Sequence, residues 1–182
     1  MPLTETDKKT LLSVAREAIE GRVTGAKAAP AAIDADGPLA AAGGAFVSLH
    51  KGERLRGCIG MITSDKPLWK TVAEMARSAA TADPRFEPVD ARELKSIWIE
   101  VSLLGPLKPV LSTVEIEPGR HGLYIIKGRR SGLLLPQVAV ELGLGREEFL
   151  DQTCLKAGLP LDAWRDGKAM IFTFEAEIVR EG

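Results

Sequence analysis

The sequence predicts an α+β fold, a mixed and largely antiparallel sheet packed with helices. Three observations carry that expectation. Residues 45–50 with 54–56, and 123–127 with 133–135, are β-rich pairs joined by short glycine-containing turns, the pattern of hairpins rather than of parallel crossovers. Ile97, Ile99, Val101 and Leu103 alternate with Trp98, Glu100 and Ser102, the two-residue period of a strand with one buried face. Between these segments lie stretches whose apolar residues recur at helical spacing.

Taken in order, Leu11, Leu12, Ala15, Ala18 and Ile19 form the first helical stripe. Thr4 or Thr6 caps its start, and Gly21 is placed to end it. Residues 22–44 change character. Across 21–45 there are ten Ala, but five Gly, Pro30 and Pro38 interrupt them, and proline costs about 3 kcal/mol inside a helix. This stretch reads as a flexible loop. The strand at 45–50 follows, turns at 51–53 and returns at 54–56. Ser64-Asp65-Lys66-Pro67 opens a helix with Pro67 in its first turn, and Leu68, Val72, Met75, Ala76 and Ala79 are its apolar stripe. Asp83-Pro84 stops it, because a residue before proline is pushed out of the helical region. After the hairpin turning at 128–132, helices are expected at 136–142 and 146–157, divided by Gly143 and Gly145. A strand from 170 to 179 closes the chain.

With 182 residues the chain suits one domain with a core of its own. Lys plus Arg number 24 and Asp plus Glu 25, a net charge of −1. That balance gives no global field for nucleic acid or anionic membrane, so nucleic acid is disfavoured as a partner. Nowhere do ~18 apolar residues run together, so no membrane span is expected. Two cysteines, Cys58 and Cys154, exclude a disulfide scaffold and an all-cysteine zinc site. The expectation is a cytoplasmic protein with no metal site and no cofactor.

The most unusual segment is Leu55-Arg56-Gly57-Cys58-Ile59-Gly60. Two glycines flank a cysteine beside an arginine, at what reads as the end of a strand. Glycine permits positive φ and close approach to a ligand. A guanidinium next to the thiol favours the nucleophilic thiolate, which makes Cys58 and Arg56 the candidate catalytic residues. The plain alternative is a bulge around a small buried cysteine. In Asp83-Pro84-Arg85-Phe86, Asp83 and Arg85 either line a polar site, with Arg85 offering its fork to a carboxylate or phosphate, or form a rigid turn anchored by Phe86. Leu150, Cys154 and Ala157 share a helical face, so Cys154 reads as a packed thiol, and a redox pair with Cys58 requires Cα atoms within ~7 Å. His50 and His121 are the only histidines. The first is expected some distance from Cys58, and the second offers a base only by folding back from elsewhere. Arg129-Arg130 reads as a solvated hairpin tip.

With these residues in hand, the chain resembles the AMMECR domain family, protein A of the AmmeMemoRadiSam system, over about residues 46–177. The 55–60 hexapeptide is the signature. It is followed in the family's order by Ala79-Ala80, Asp83-Pro84-Arg85-Phe86, Ile99-Glu100-Val101-Ser102, Gly132-Leu133-Leu134-Leu135-Pro136-Gln137-Val138-Ala139, and Cys154-Leu155-Lys156-Ala157-Gly158-Leu159-Pro160 with Trp164. The stretch at 26–42 looks peculiar to this chain. The resemblance implies one AMMECR-like domain over 1–182, with a helix at 1–21, the loop at 22–44 and the main α+β unit at 45–179. It implies two unequal lobes with a cleft lined by Arg56, Gly57, Cys58, Gly60, Asp83, Arg85 and Gln137. It further implies an unidentified small molecule or peptide as ligand, and Memo-type and radical SAM proteins as partners. The expected role is a binding component, with a reactive-thiol enzyme using Cys58 as the alternative.

Overall fold

The computed structural model of the chain describes residues 3–26, 33 and 37–182. The chain divides into two compact units. One comprises 1–104 with 177–182, and the other comprises 105–176. Each has its own sheet and its own core.

The first unit opens with α1, Glu5–Thr24. Thr4 Oγ1 accepts the Asp7 N–H at 3.2 Å while Asp7 Oδ2 accepts the Thr4 N–H at 2.8 Å, a reciprocal cap that satisfies two otherwise orphaned donors. The helix passes through Gly21, where the sequence suggested an end. It stops at Gly25, whose φ of 74° suits the left-handed cap. Leu11, Ala15 and Ile19 are fully buried along one stripe, each large apolar side chain contributing about 1.5–3 kcal/mol by leaving water. Residues 27–32 and 34–36 of the 22–44 loop, which make up just over half of the 26–42 stretch, lie outside the described residues. Within it, Pro38–Ala40 form a 3-10 turn with Leu39 buried.

The hairpin β1 (Ala45–Lys51) and β2 (Arg54–Met61) is tighter than the sequence suggested. Lys51 pairs with Arg54 across a two-residue turn, and Gly52 supplies φ of 60° there. β2 also runs further, through the whole hexapeptide, so that motif is strand rather than strand end. The register shifts by one residue between Leu49 and His50, because Leu49 faces Gly57 and His50 faces Leu55. Arg56 is the extra residue of that bulge. α2, Leu68–Thr81, follows and packs on these strands with α1. β3 (Ile97–Leu104) and β8 (Ala176–Arg180) complete a sheet of order β2-β1-β3-β8. Ala45, Val47, Leu49, Ile99 and Val101 turn to the helices and make the core. Arg16 locks the helix to the sheet, donating to the Leu94 and Ile97 carbonyls at 3.1 and 2.8 Å and pairing with Glu181.

The second unit holds β4 (Lys108–Pro109), β5 (Gly122–Lys127), β6 (Arg130–Leu134) and β7 (Met170–Phe174), ordered β4-β7-β5-β6. Its helices are α3, Pro136–Glu141, and α4, Arg146–Lys156. Ile116, Leu123, Ile125, Phe149, Leu150 and Cys154 form the core. The single closing strand expected at 170–179 is two strands. It breaks at Glu175, with β7 in the second sheet and β8 in the first. The β5–β6 hairpin turns on Gly128 and Arg129, because Lys127 already pairs with Arg130. Among the described residues, no helix is long and apolar enough to cross a membrane.

Candidate functional site

Cys58 stands on β2, at the end of the first sheet, so among the described residues one side of its backbone has no neighbouring strand. Two side chains take that place. Its N–H donates to Asp83 Oδ2 at 2.8 Å, and its carbonyl accepts from Arg85 Nη2 at 3.2 Å. Both side chains come from the turn after α2. There Pro84 follows Asp83, the Phe86 N–H bonds the Asp83 carbonyl at 3.1 Å, and Asp83 Oδ1 accepts the Arg85 N–H at 3.1 Å. An Asx turn of this kind fixes the carboxylate relative to its own backbone. Asp83 is almost fully buried, and Arg85 bonds it at both oxygens, Nε to Oδ1 at 2.9 Å and Nη2 to Oδ2 at 2.7 Å. That guanidinium holds the Asp83 carboxyl well below the usual carboxylate range, with the N–H of Cys58 adding to the effect.

The alternation of the antiparallel ladder then decides where the thiol lies. Since both backbone groups of Cys58 point off the edge, Cys58 and its partner Ser48 form the close type of cross-strand pair, with Cα atoms about 4.5 Å apart. Their side chains meet on the sheet face opposite the helices. Ser48 Oγ donates to Cys58 Sγ at 3.2 Å. Ser48 also faces Glu100 on β3, and Glu100 accepts from Arg180 Nε at 2.6 Å. Cys58, Ser48, Glu100 and Arg180 thus make a polar row across all four strands. His50, two residues from Ser48 on the same face, stacks on Trp98 with ring centroids 4.1 Å apart. Its Nε2 is buried and, among the described residues, without a partner. Burial pushes its pKa down, partly offset by Glu100.

The expected residues do not all meet. Arg56 sits on the bulge and turns to Glu93, with Nε to Oε1 at 3.2 Å and Nη2 to Oε2 at 2.9 Å. It also donates to the Glu87 carbonyl at 2.9 Å. The guanidinium expected beside the thiol is therefore engaged elsewhere, and Arg85 is the arginine that reaches Cys58. Arg85 in turn has its fork filled by Asp83, so the fork foreseen for an anionic ligand is already bound. Gly57 and Gly60 are absent from the positive-φ positions and serve another purpose. A Cβ on Gly57 would lie 2.3 Å from the Ala79 carbonyl of α2, and one on Gly60 would lie 2.2 Å from the Phe46 ring. Gln137 is on α3 in the second unit, with a buried Oε1 lacking a partner among the described residues.

Cys154 is fully buried in the core of the second unit, and burial pushes its thiol pKa up. Both cysteines are free thiols. Among the described residues no three His, Cys, Asp or Glu side chains cluster as a metal would require. Glu93, Ser48, Glu100 and Arg180 were missed as site neighbours. Glu93 had a legible signal in Asp90-Ala91-Arg92-Glu93, a capping-box pattern that does open a 3-10 helix. Ser48 had only its place in the strand alternation.

Comparisons with known proteins are concordant. The AMMECR1 family model matches residues 12–179. A protein of Methanothermobacter thermautotrophicus is 44% identical over 186 residues, covering 99% of this chain and 97% of that protein. One from Methanopyrus kandleri is 49% identical over 152 residues, covering 79% and 73%. The crystal structure of an uncharacterized protein from Pyrococcus horikoshii superposes with a TM-score of 0.86 at 40% identity, covering 92% of this chain and 88% of that one.

Proposed function

The chain belongs to the AMMECR1 family, and from that premise we propose that it is a cytoplasmic binding component. It takes a small molecule or peptide around Cys58 and works with Memo-type and radical SAM proteins. The observation that carries this reading is the double clamp on Cys58. Asp83 holds its N–H and Arg85 its carbonyl, so the cysteine at the centre of the motif is fixed where a further strand would otherwise pair. A buried carboxylate, itself held by the Arg85 backbone and guanidinium, fixes the Cys58 N–H rigidly, and rigid placement is what a recognition surface needs. Cys58 itself is partly exposed, and the half-exposed Arg85 adjoins it.

A second reading, a reactive thiol at Cys58, is favoured by the Ser48 contact. In that reading the hydroxyl at 3.2 Å, rather than Arg56, is the polar group at the sulfur.

Titration calorimetry with purified Memo-type and radical SAM proteins from the same genome tests the binding role. Saturable binding weakened by Asp83→Ala, with the fold checked by circular dichroism, supports it. No saturable binding to either protein removes the partner link, and binding indifferent to Asp83→Ala moves the site away from Cys58.

A further inference from the structure

We propose that Ser48 is a positioning residue for the Cys58 thiol, holding the sulfur in place by hydrogen-bond donation. The inference deepens the reactive-thiol reading and rests on it.

The geometry leaves Ser48 little else to do. Its backbone pairs with β3, because the Cys58 backbone faces the other way, to Asp83 and Arg85. Ser48 is 8% exposed, so water is a minor partner for the hydroxyl. Two acceptors flank it across the sheet, the Cys58 sulfur on β2 and the Glu100 carboxylate on β3. Arg180 occupies Glu100 Oε2 from the far side at 2.6 Å. The hydroxyl proton goes to the sulfur at 3.2 Å. The close cross-strand pairing sets that distance, so the contact is fixed by the two backbones rather than by a flexible side chain.

The hydroxyl is a good donor and the sulfur an acceptor, so the contact selects one orientation of the Cys58 side chain. The clamp from Asp83 and Arg85 fixes the Cys58 main chain, and Ser48 fixes the end of its side chain. The two constraints together aim one sulfur. No residue of the 55–60 motif supplies the second.

The test is alkylation of the full chain by iodoacetamide at pH 7 and pH 9, with peptide mass mapping to read Cys58 separately from Cys154. Ser48→Ala is expected to slow Cys58 about three- to tenfold at both pH values, because the sulfur is no longer held in place. Ser48→Thr keeps the hydroxyl and should restore most of the rate. A Ser48→Ala rate equal to wild type, or a Ser48→Thr rate no faster than that of Ser48→Ala, overturns the proposal. Should Ser48→Ala fold poorly, Ser48→Cys gives an independent reading. Oxidation by copper phenanthroline removes two electrons and two protons from the facing thiols and should join positions 48 and 58 as a disulfide. Failure to cross-link overturns the placement. A wild-type Cys58 inert even at pH 9 overturns the reactive-thiol reading itself.

Discussion

Arg56 and Arg85 show how a charged residue in a motif acquires its role from what it faces. Arg56 looked like the activator of a neighbouring thiol. One extra residue in β2 puts it on a bulge, and it binds Glu93 with two nitrogens instead. The consequence is measurable in acid. Arg56 holds the Glu93 carboxyl down at about 2, below the ~4.3 of an unfolded chain. The unfolded state therefore takes up the proton first, and the stabilisation is complete above pH ~4.3 and lost as pH falls toward 2. The depressed Asp83 acts in the same direction. Glu93→Gln should cost about 1.5–3 kcal/mol at pH 7, the worth of a hydrogen bond to a charged group. It should then lose less stability than wild type between pH 5 and 2. Urea midpoints across that range check this, and parallel losses in the two proteins would contradict it.

At the scale of elements, the hexapeptide is a seam between β2 and α2. Gly57 lies under the Ala79 carbonyl and Gly60 under the Phe46 ring, so both glycines are required by proximity and neither by its φ. A Cβ at 57 meets backbone, which moves only with the helix, whereas a ring can swing aside. Gly57→Ala should therefore cost about 1–3 kcal/mol, as overpacking does, and Gly60→Ala less. Denaturant midpoints decide the order, and the reverse order would show that α2 yields more readily than Phe46. The hairpins and helices were legible in the sequence because they rest on local spacing and turn residues, such as Gly52 at its two-residue turn. The bulge was not, since it depends on the register between strands. Asp83 was legible as a turn residue, but its bond to Cys58 joins positions 25 residues apart, and no local pattern encodes that.

Over the whole molecule, the second unit interrupts the first between β3 and β8. Periodicity read residues 170–179 as one strand because the alternation of apolar residues continues through the break at Glu175. Only tertiary pairing assigns its halves to different sheets. The two cysteines divide in the same way. Cys154 fills the core of one unit, and Cys58 stands on the sheet edge of the other, partly exposed and clamped. The cysteine between two glycines makes the motif legible in the sequence, while the clamp and the polar row emerge only once the strands are paired. The most direct test of a binding surface at Cys58 is its alkylation rate in the full chain, followed as the purified Memo-type or radical SAM protein is added. Saturable protection of Cys58 by about tenfold is expected, equivalent to ~1.4 kcal/mol of differential accessibility, while Cys154 stays unreactive throughout. Saturable binding of either partner with the Cys58 rate unchanged would contradict a binding surface there.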